Sequence, residues 1–136
     1  MPVTSKDLIA LSDQLFGSGT GAEVEIRAAA GRAYYAVYHE AVEVADKLSL
    51  AVTNKNTGEH AQLCSRYSGT SSKKLKAIAS RIWAVKKMRT AADYHNTTKI
   101  TAPGVKHHIA SCKSILDELD RLATAASCSQ SSSVAP

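Results

Sequence analysis

Aromatic side chains are scarce in this chain: one Trp, one Phe and five Tyr make up 5% of its 136 residues. A core assembled without many rings must come from Ala, Leu, Ile and Val, and with a 44% hydrophobic content that composition points to packed helices. Cysteine is also sparse. Cys64, Cys112 and Cys128 are an odd number with no Cys-x-x-Cys spacing, which excludes a fully paired disulfide framework and a thioredoxin-like redox motif. Cys112 falls on an apolar helix face, as a core thiol would. No apolar run approaches the roughly 18 to 20 residues of a membrane span, and residues 1–20 lack the charged start, apolar middle and small-residue cleavage site of a secretory signal. The expectation is therefore a cytoplasmic protein with reduced thiols and no membrane partner.

Acidic residues are in deficit, 12 against 17 Lys and Arg, for a formal charge of +5. Distribution is more telling than the total. Between Lys73 and Lys99 stand Lys73, Lys74, Lys76, Arg81, Lys86, Lys87, Arg89 and Lys99, opposed by Asp93 alone. Such a concentration favours an acidic partner, nucleic acid above all.

A chain of this length builds one core, not two. Thr4 or Ser5 is placed to cap a first helix running to about Phe16, since Leu8, Leu11 and Leu15 recur at helical spacing. From about Ala22 to Leu48 a long segment without Pro carries Val24, Ala28, Gly31, Tyr35, Tyr38, Val42 and Ala45 as one seam, which predicts a central helix of roughly 40 Å. Glu59 to Tyr67 reads as a short helix closed by Ser68 and Gly69. Ser71 or Ser72 starts the next, with Leu75, Ile78, Ile82, Val85 and Ala92 on one stripe. Pro103 suits the first turn of a last helix whose stripe includes Val105, His108, Ile109, Cys112, Ile115, Leu116, Leu119, Leu122 and Ala123. Alternating strand patterns and internal repeats are missing. The predicted fold is an all-α, up-and-down bundle of four main helices and one short one over residues 1–126, with a Ser-rich disordered tail at 127–136.

One position breaks the pattern. Four residues beyond Val85, the stripe arrives at Arg89, where a bundle would place Leu. An always-charged guanidinium on a seam needs either a carboxylate inside the bundle or a cleft that admits a phosphate. His95 follows where the helix frays into Asn96, Thr97 and Thr98, and a perfect helix would not align the two side chains, so their convergence requires the chain to bend after Asp93 or Tyr94. A second polar series, Glu25, Arg32, His39 and Asp46, recurs every seven residues on the long helix. It is either a solvated, ion-paired face or the lining of the cleft that holds Arg89. Tyr34, Tyr35 and Tyr38 read as core or interface rings, and His60 as a surface histidine or a cleft neighbour. His107 and His108 lie about 100° apart on a helix with no zinc-ligand spacing beside them, and Gly17, Gly19 and Gly21 follow no strand, so neither a metal nor a phosphate loop is expected.

The block Arg32-Ala-Tyr-Tyr-Ala-Val-Tyr-His39, followed half a chain later by Arg89-Thr-Ala-Ala-Asp-Tyr94 and a final amphipathic helix, resembles the HEPN superfamily of prokaryotic helical bundles. The resemblance spans about residues 4–125. It implies a homodimer whose subunits each bring an arginine and a histidine, a few residues apart, into a shared ribonuclease cleft, together with a role as a toxin or in phage defence. Arg89 and His95 would be the catalytic pair, Asp93, Tyr94, Asn96, Arg32 and His39 their support, and Lys86, Lys87 and Lys99 the RNA contacts. Arg32 and His39 fit the same loose spacing. A cognate antitoxin or nucleotidyltransferase would be the regulatory partner. No cofactor or metal is implied: histidine would take the ribose 2′-OH proton and arginine would stabilise the phosphorane. The competing expectation is an inactive member that binds a partner protein or a nucleotide.

Overall fold

A computed structural model of the chain describes residues 3–18, 22–52 and 56–134, the side chains of 18 and 128–134 excepted. All regular structure among them is helical: α1 (Ser5–Ser18), α2 (Glu23–Lys47), α3 (Glu59–Ser68), α4 (Lys73–Tyr94) and α5 (Ala102–Val134). The architecture is an all-α bundle.

Helix starts follow local chemistry. Thr4 is the first cap: its Oγ1 accepts from the Asp7 N–H at 3.1 Å while the Asp7 carboxylate accepts from the Thr4 N–H at 3.0 Å, a reciprocal box. Ser72 caps α4 by accepting from Leu75 N, and Thr101 caps α5 by accepting from Gly104 N. Pro103 sits in that first turn, where its missing N–H costs nothing. At the far end the backbone of α5 stays helical through the Ser-rich segment to Val134, because serine lacks proline's clash and disfavours helix only mildly. No helix end coincides with the boundary expected after Ala126. Side chains from 128 onward, and residues 135–136, lie outside the described residues, as does the side chain of Cys128.

Helix α2 packs against all four of the others. This central position explains why its buried surface is not the single seam that periodicity suggests. Ile26, Ala29, Ala30, Ala33, Tyr34, Val37, Ala41, Val44 and Ala45 form the core face, whereas Val24, near the helix start, is 72% exposed. Six alanines of α2 have no accessible surface, which lets neighbouring backbones approach. Three helices then anchor polar side chains to its carbonyls. Ser12 Oγ of α1 donates to Ala29 O at 2.7 Å, Tyr67 Oη of α3 to Ala41 O at 2.6 Å, and His108 Nε2 of α5 to Ala30 O at 3.0 Å. Helical carbonyls retain a second lone pair for such contacts. Cys64 and Cys112 are free thiols, and burial pushes Cys112 up to about 12, which makes it inert.

His108 gives the fold a pH dependence. Burial lowers its pKa from 6.5, against the opposing hydrogen bond to Ala30, so the folded state prefers the neutral ring. The unfolded chain takes up the proton first as pH falls below 6.5; stability is therefore present above that value and lost below it. Urea unfolding near pH 7.5 and near pH 5.5 should show a loss that is smaller in His108→Gln, by at most about 1.4 kcal/mol per pH unit. Gln keeps a donor for Ala30 O and carries no titrating proton. Equal pH slopes for the two proteins would rule His108 out as the source.

Candidate functional site

Arg89 is 6% exposed on α4, facing α2. Its charge has three partners. Nε donates to Asp93 Oδ2 at 3.0 Å, and Nη2 donates to Tyr35 Oη at 2.7 Å and Tyr94 Oη at 3.4 Å. Rings of Tyr34, Tyr35 and Tyr94 surround the guanidinium, their centroids 5.6, 5.1 and 5.3 Å from Cζ. Burial opposes the charge, but Tyr35, Tyr94 and Asp93 outweigh it and hold the pKa above the ordinary arginine value. Nη1 is engaged by none of these groups. Since no buried side-chain nitrogen or oxygen among the described residues lacks a partner, Nη1 is not sealed from solvent, on a side chain that is 7% exposed.

The required carboxylate thus comes from Asp93, one helical turn along the same helix, and not from the Glu25 to Asp46 series. Asp93 approaches α2 where Gly31 stands: a Cβ there would meet Asp93 Oδ1 at 3.2 Å. Of the second series, Asp46 pairs with Arg66 at 3.0 Å. Arg32 and His39 are exposed on the α2 face that also carries Tyr35, and His39 lies against the rings of Tyr35 and Tyr38.

The structure does not bring His95 into this cluster. Helix α4 remains regular through Tyr94, and His95 is its C-cap, with an exposed side chain and a backbone N–H bonded to Ala91 O. Arg27, overlooked by the sequence reading, fixes that end. Its Nη1 donates to Ala91 O, Ala92 O and His95 O, its Nη2 to Asn96 O and Thr98 O, while Glu23 pairs with it at 2.9 Å. A cation over the last carbonyls of another helix satisfies groups that the helix itself cannot. Nothing local announces the role, because the two segments are 64 or more residues apart. Asn96 and Lys99 are exposed beyond this clamp.

His60 joins the cluster through Tyr34. Its Nδ1 lies 2.6 Å from Tyr34 Oη, and its ring packs on Tyr34 and Tyr38 with centroids 5.4 and 4.9 Å apart. Burial, then the charges of Arg89 and Lys86, lower its pKa, with Glu59 opposing. Lys86 is half-buried with Nζ 4.4 Å from the Trp83 ring centroid, and Trp83 is 42% exposed. Lys73, Lys74, Lys76 and Lys87 are exposed along the same helix. Arg81 is instead tied to Glu118 and Ser114 of α5.

A groove of about 570 Å³ lies between α1, α2 and α5 and includes Tyr38 and His39. Glu40, Glu43 and Asp120 line it, the wrong sign for a phosphate. Among the described residues no three His, Cys, Asp or Glu side chains gather to hold a metal ion, and no helix is long and apolar enough to cross a membrane. Compared with protein-family models, with curated proteins and with solved structures, the chain matches none.

Proposed function

We propose that this protein is a metal-independent endoribonuclease of the toxin or phage-defence type. The observation that carries the proposal is Arg89: a permanent cation on a core stripe, braced by Asp93 and Tyr35, with no protein partner at Nη1 among the described residues. A braced guanidinium with a free edge is preorganised for the charge of a phosphorane. Exposed lysines of α4, with Lys86 and Lys99, supply the field that draws a polyanion to it.

In the proposed reaction the ribose O2′ bonds to the adjacent phosphorus, the P–O5′ bond breaks, and the products are a 2′,3′-cyclic phosphate and a 5′-hydroxyl. A base takes the 2′-OH proton and an acid returns one to O5′. His95 is the proposed base, supplied to the Arg89 cleft by a homodimer. Its exposed place on the C-cap suits reach across an interface better than reach along its own helix.

A second function, partner or nucleotide binding without catalysis, is favoured by one observation. Asp93 already offsets the Arg89 charge, as in a structural pair. RNA incubated with the protein in EDTA separates the two. Fragments ending in 2′,3′-cyclic phosphate, lost in His95→Ala, support the nuclease; intact RNA that binds supports the module. Toxicity on expression, relieved by His95→Ala or by a co-expressed antitoxin or nucleotidyltransferase, would extend the result to cells.

A further inference from the structure

Tyr34 has no accessible surface, and among the described residues its hydroxyl has one partner, His60 Nδ1 at 2.6 Å. A buried phenol must place its proton on an acceptor, and burial raises the Tyr34 pKa so that the proton stays on oxygen. Tyr34 is therefore the donor and Nδ1 the acceptor. In a neutral imidazole one nitrogen accepts and the other carries hydrogen, so the proton of His60 is on Nε2. Protonating the ring would turn Nδ1 into a second donor facing the phenol and add a third cation beside Arg89 and Lys86. His60 is half-buried, and no buried side-chain nitrogen among the described residues lacks a partner, so Nε2, which the phenol does not engage, is not sealed from solvent.

That arrangement has a chemical consequence. With hydrogen already on Nε2, His60 has no lone pair to offer a substrate proton. Giving that hydrogen away would leave an imidazolate or a tyrosinate. What it offers is an N–H on a ring that packs against Tyr34, as Arg89 does, with centroid and Cζ 5.4 and 5.6 Å from the phenol ring and Lys86 three residues before Arg89 on α4.

We propose that His60, Lys86 and Arg89 Nη1 form one phosphate-oxygen subsite, in which His60 is a neutral Nε2–H donor locked by the Tyr34 hydroxyl and is not the base. The ligand, an RNA phosphodiester, rests on the endoribonuclease proposal; the tautomer rests only on the Tyr34–His60 contact. Tyr34 thus has two tasks, its ring against Arg89 and its hydroxyl on His60.

Long-range ¹H–¹⁵N spectra of the full chain at neutral pH should show His60 with Nε2 protonated and Nδ1 bare, and Tyr34→Phe should lose that preference. An Nδ1–H ring or an imidazolium in the wild type would overturn the lock. Binding is measured with a 2′-O-methyl RNA oligonucleotide, which has no nucleophile and cannot be cut. His60→Ala should weaken it roughly tenfold or more, as loss of a hydrogen bond to a charged group does, whereas His60→Gln, which keeps a neutral N–H, should stay within about threefold. Cleavage of ordinary RNA should follow the same order. A His60→Gln protein that binds normally but cannot cut would make His60 the base and overturn the proposal. If the wild type neither binds nor cuts RNA, the endoribonuclease proposal fails; inorganic phosphate shifting the His60 and Lys86 resonances would still support the subsite, and unshifted resonances would reject it.

Discussion

Arg89→Met should lower RNA cleavage by about 10²- to 10³-fold with the bundle still folded, the loss that follows removal of one preorganised donor to developing charge. Methionine is the informative choice. It fills most of the space along the arginine stem, so the rings of Tyr34, Tyr35 and Tyr94 keep a neighbour, while every donor is removed. Asp93 then loses its partner, but its side chain is 30% exposed and water can take over. The cost in stability should stay near 1 to 2 kcal/mol, the usual scale for a lost charge-assisted hydrogen bond without a sealed-off survivor. Single-turnover cleavage with excess protein, read beside a urea melt, separates the two effects. Folded Arg89→Met protein that cuts RNA at the wild-type rate would remove Arg89 from the chemistry and with it the observation that carries the nuclease proposal.

The sequence showed that Arg89 was anomalous without showing what surrounds it. The stripe of Leu75, Ile78, Ile82 and Val85 is local information, since helical geometry alone projects it onto position 89, and all but the partly exposed Leu75 are buried. The same holds for α5, where Val105, His108, Ile109, Cys112, Ile115 and Leu119 are all buried. Asp93 was legible in principle as an i,i+4 partner. Tyr35 was not, because its place opposite Arg89 depends on the register between α2 and α4. His60 and Arg27 needed the docking of α3 and of the α4 end, which no periodicity encodes. Val24 was misplaced for a related reason: it continues the spacing of α2, but at 72% exposure it has no neighbour to bury it. The pairing of Arg89 with His95 rests on an expected bend after Asp93 or Tyr94 and then on resemblance, but α4 stays helical to Tyr94 and leaves His95 as an exposed C-cap.

Asp93→Ala should cost the fold about 3 kcal/mol, the lower end of the range for stripping one partner from a buried ion pair. The guanidinium it leaves cannot discharge itself, because arginine keeps its proton at any accessible pH. Its side chain is 7% exposed, and the hydroxyls of Tyr35 and Tyr94 are dipoles where a full charge stood at 3.0 Å. Nη1, not sealed from water, keeps the cost from rising further. The stronger test is the double variant. Adding Arg89→Met to Asp93→Ala removes the orphaned cation and puts an apolar chain on the stripe, so the double should recover about 1 to 2 kcal/mol relative to Asp93→Ala alone, as apolar replacements of buried pairs do. Such a recovery, measured by urea unfolding of the two single variants and the double, is the signature of a desolvated charge held by one carboxylate. Additive losses, or an Asp93→Ala cost under about 1 kcal/mol, would mean that water already solvates Arg89 well. The guanidinium would then be an ordinary surface cation, with no preorganised edge to offer a phosphate.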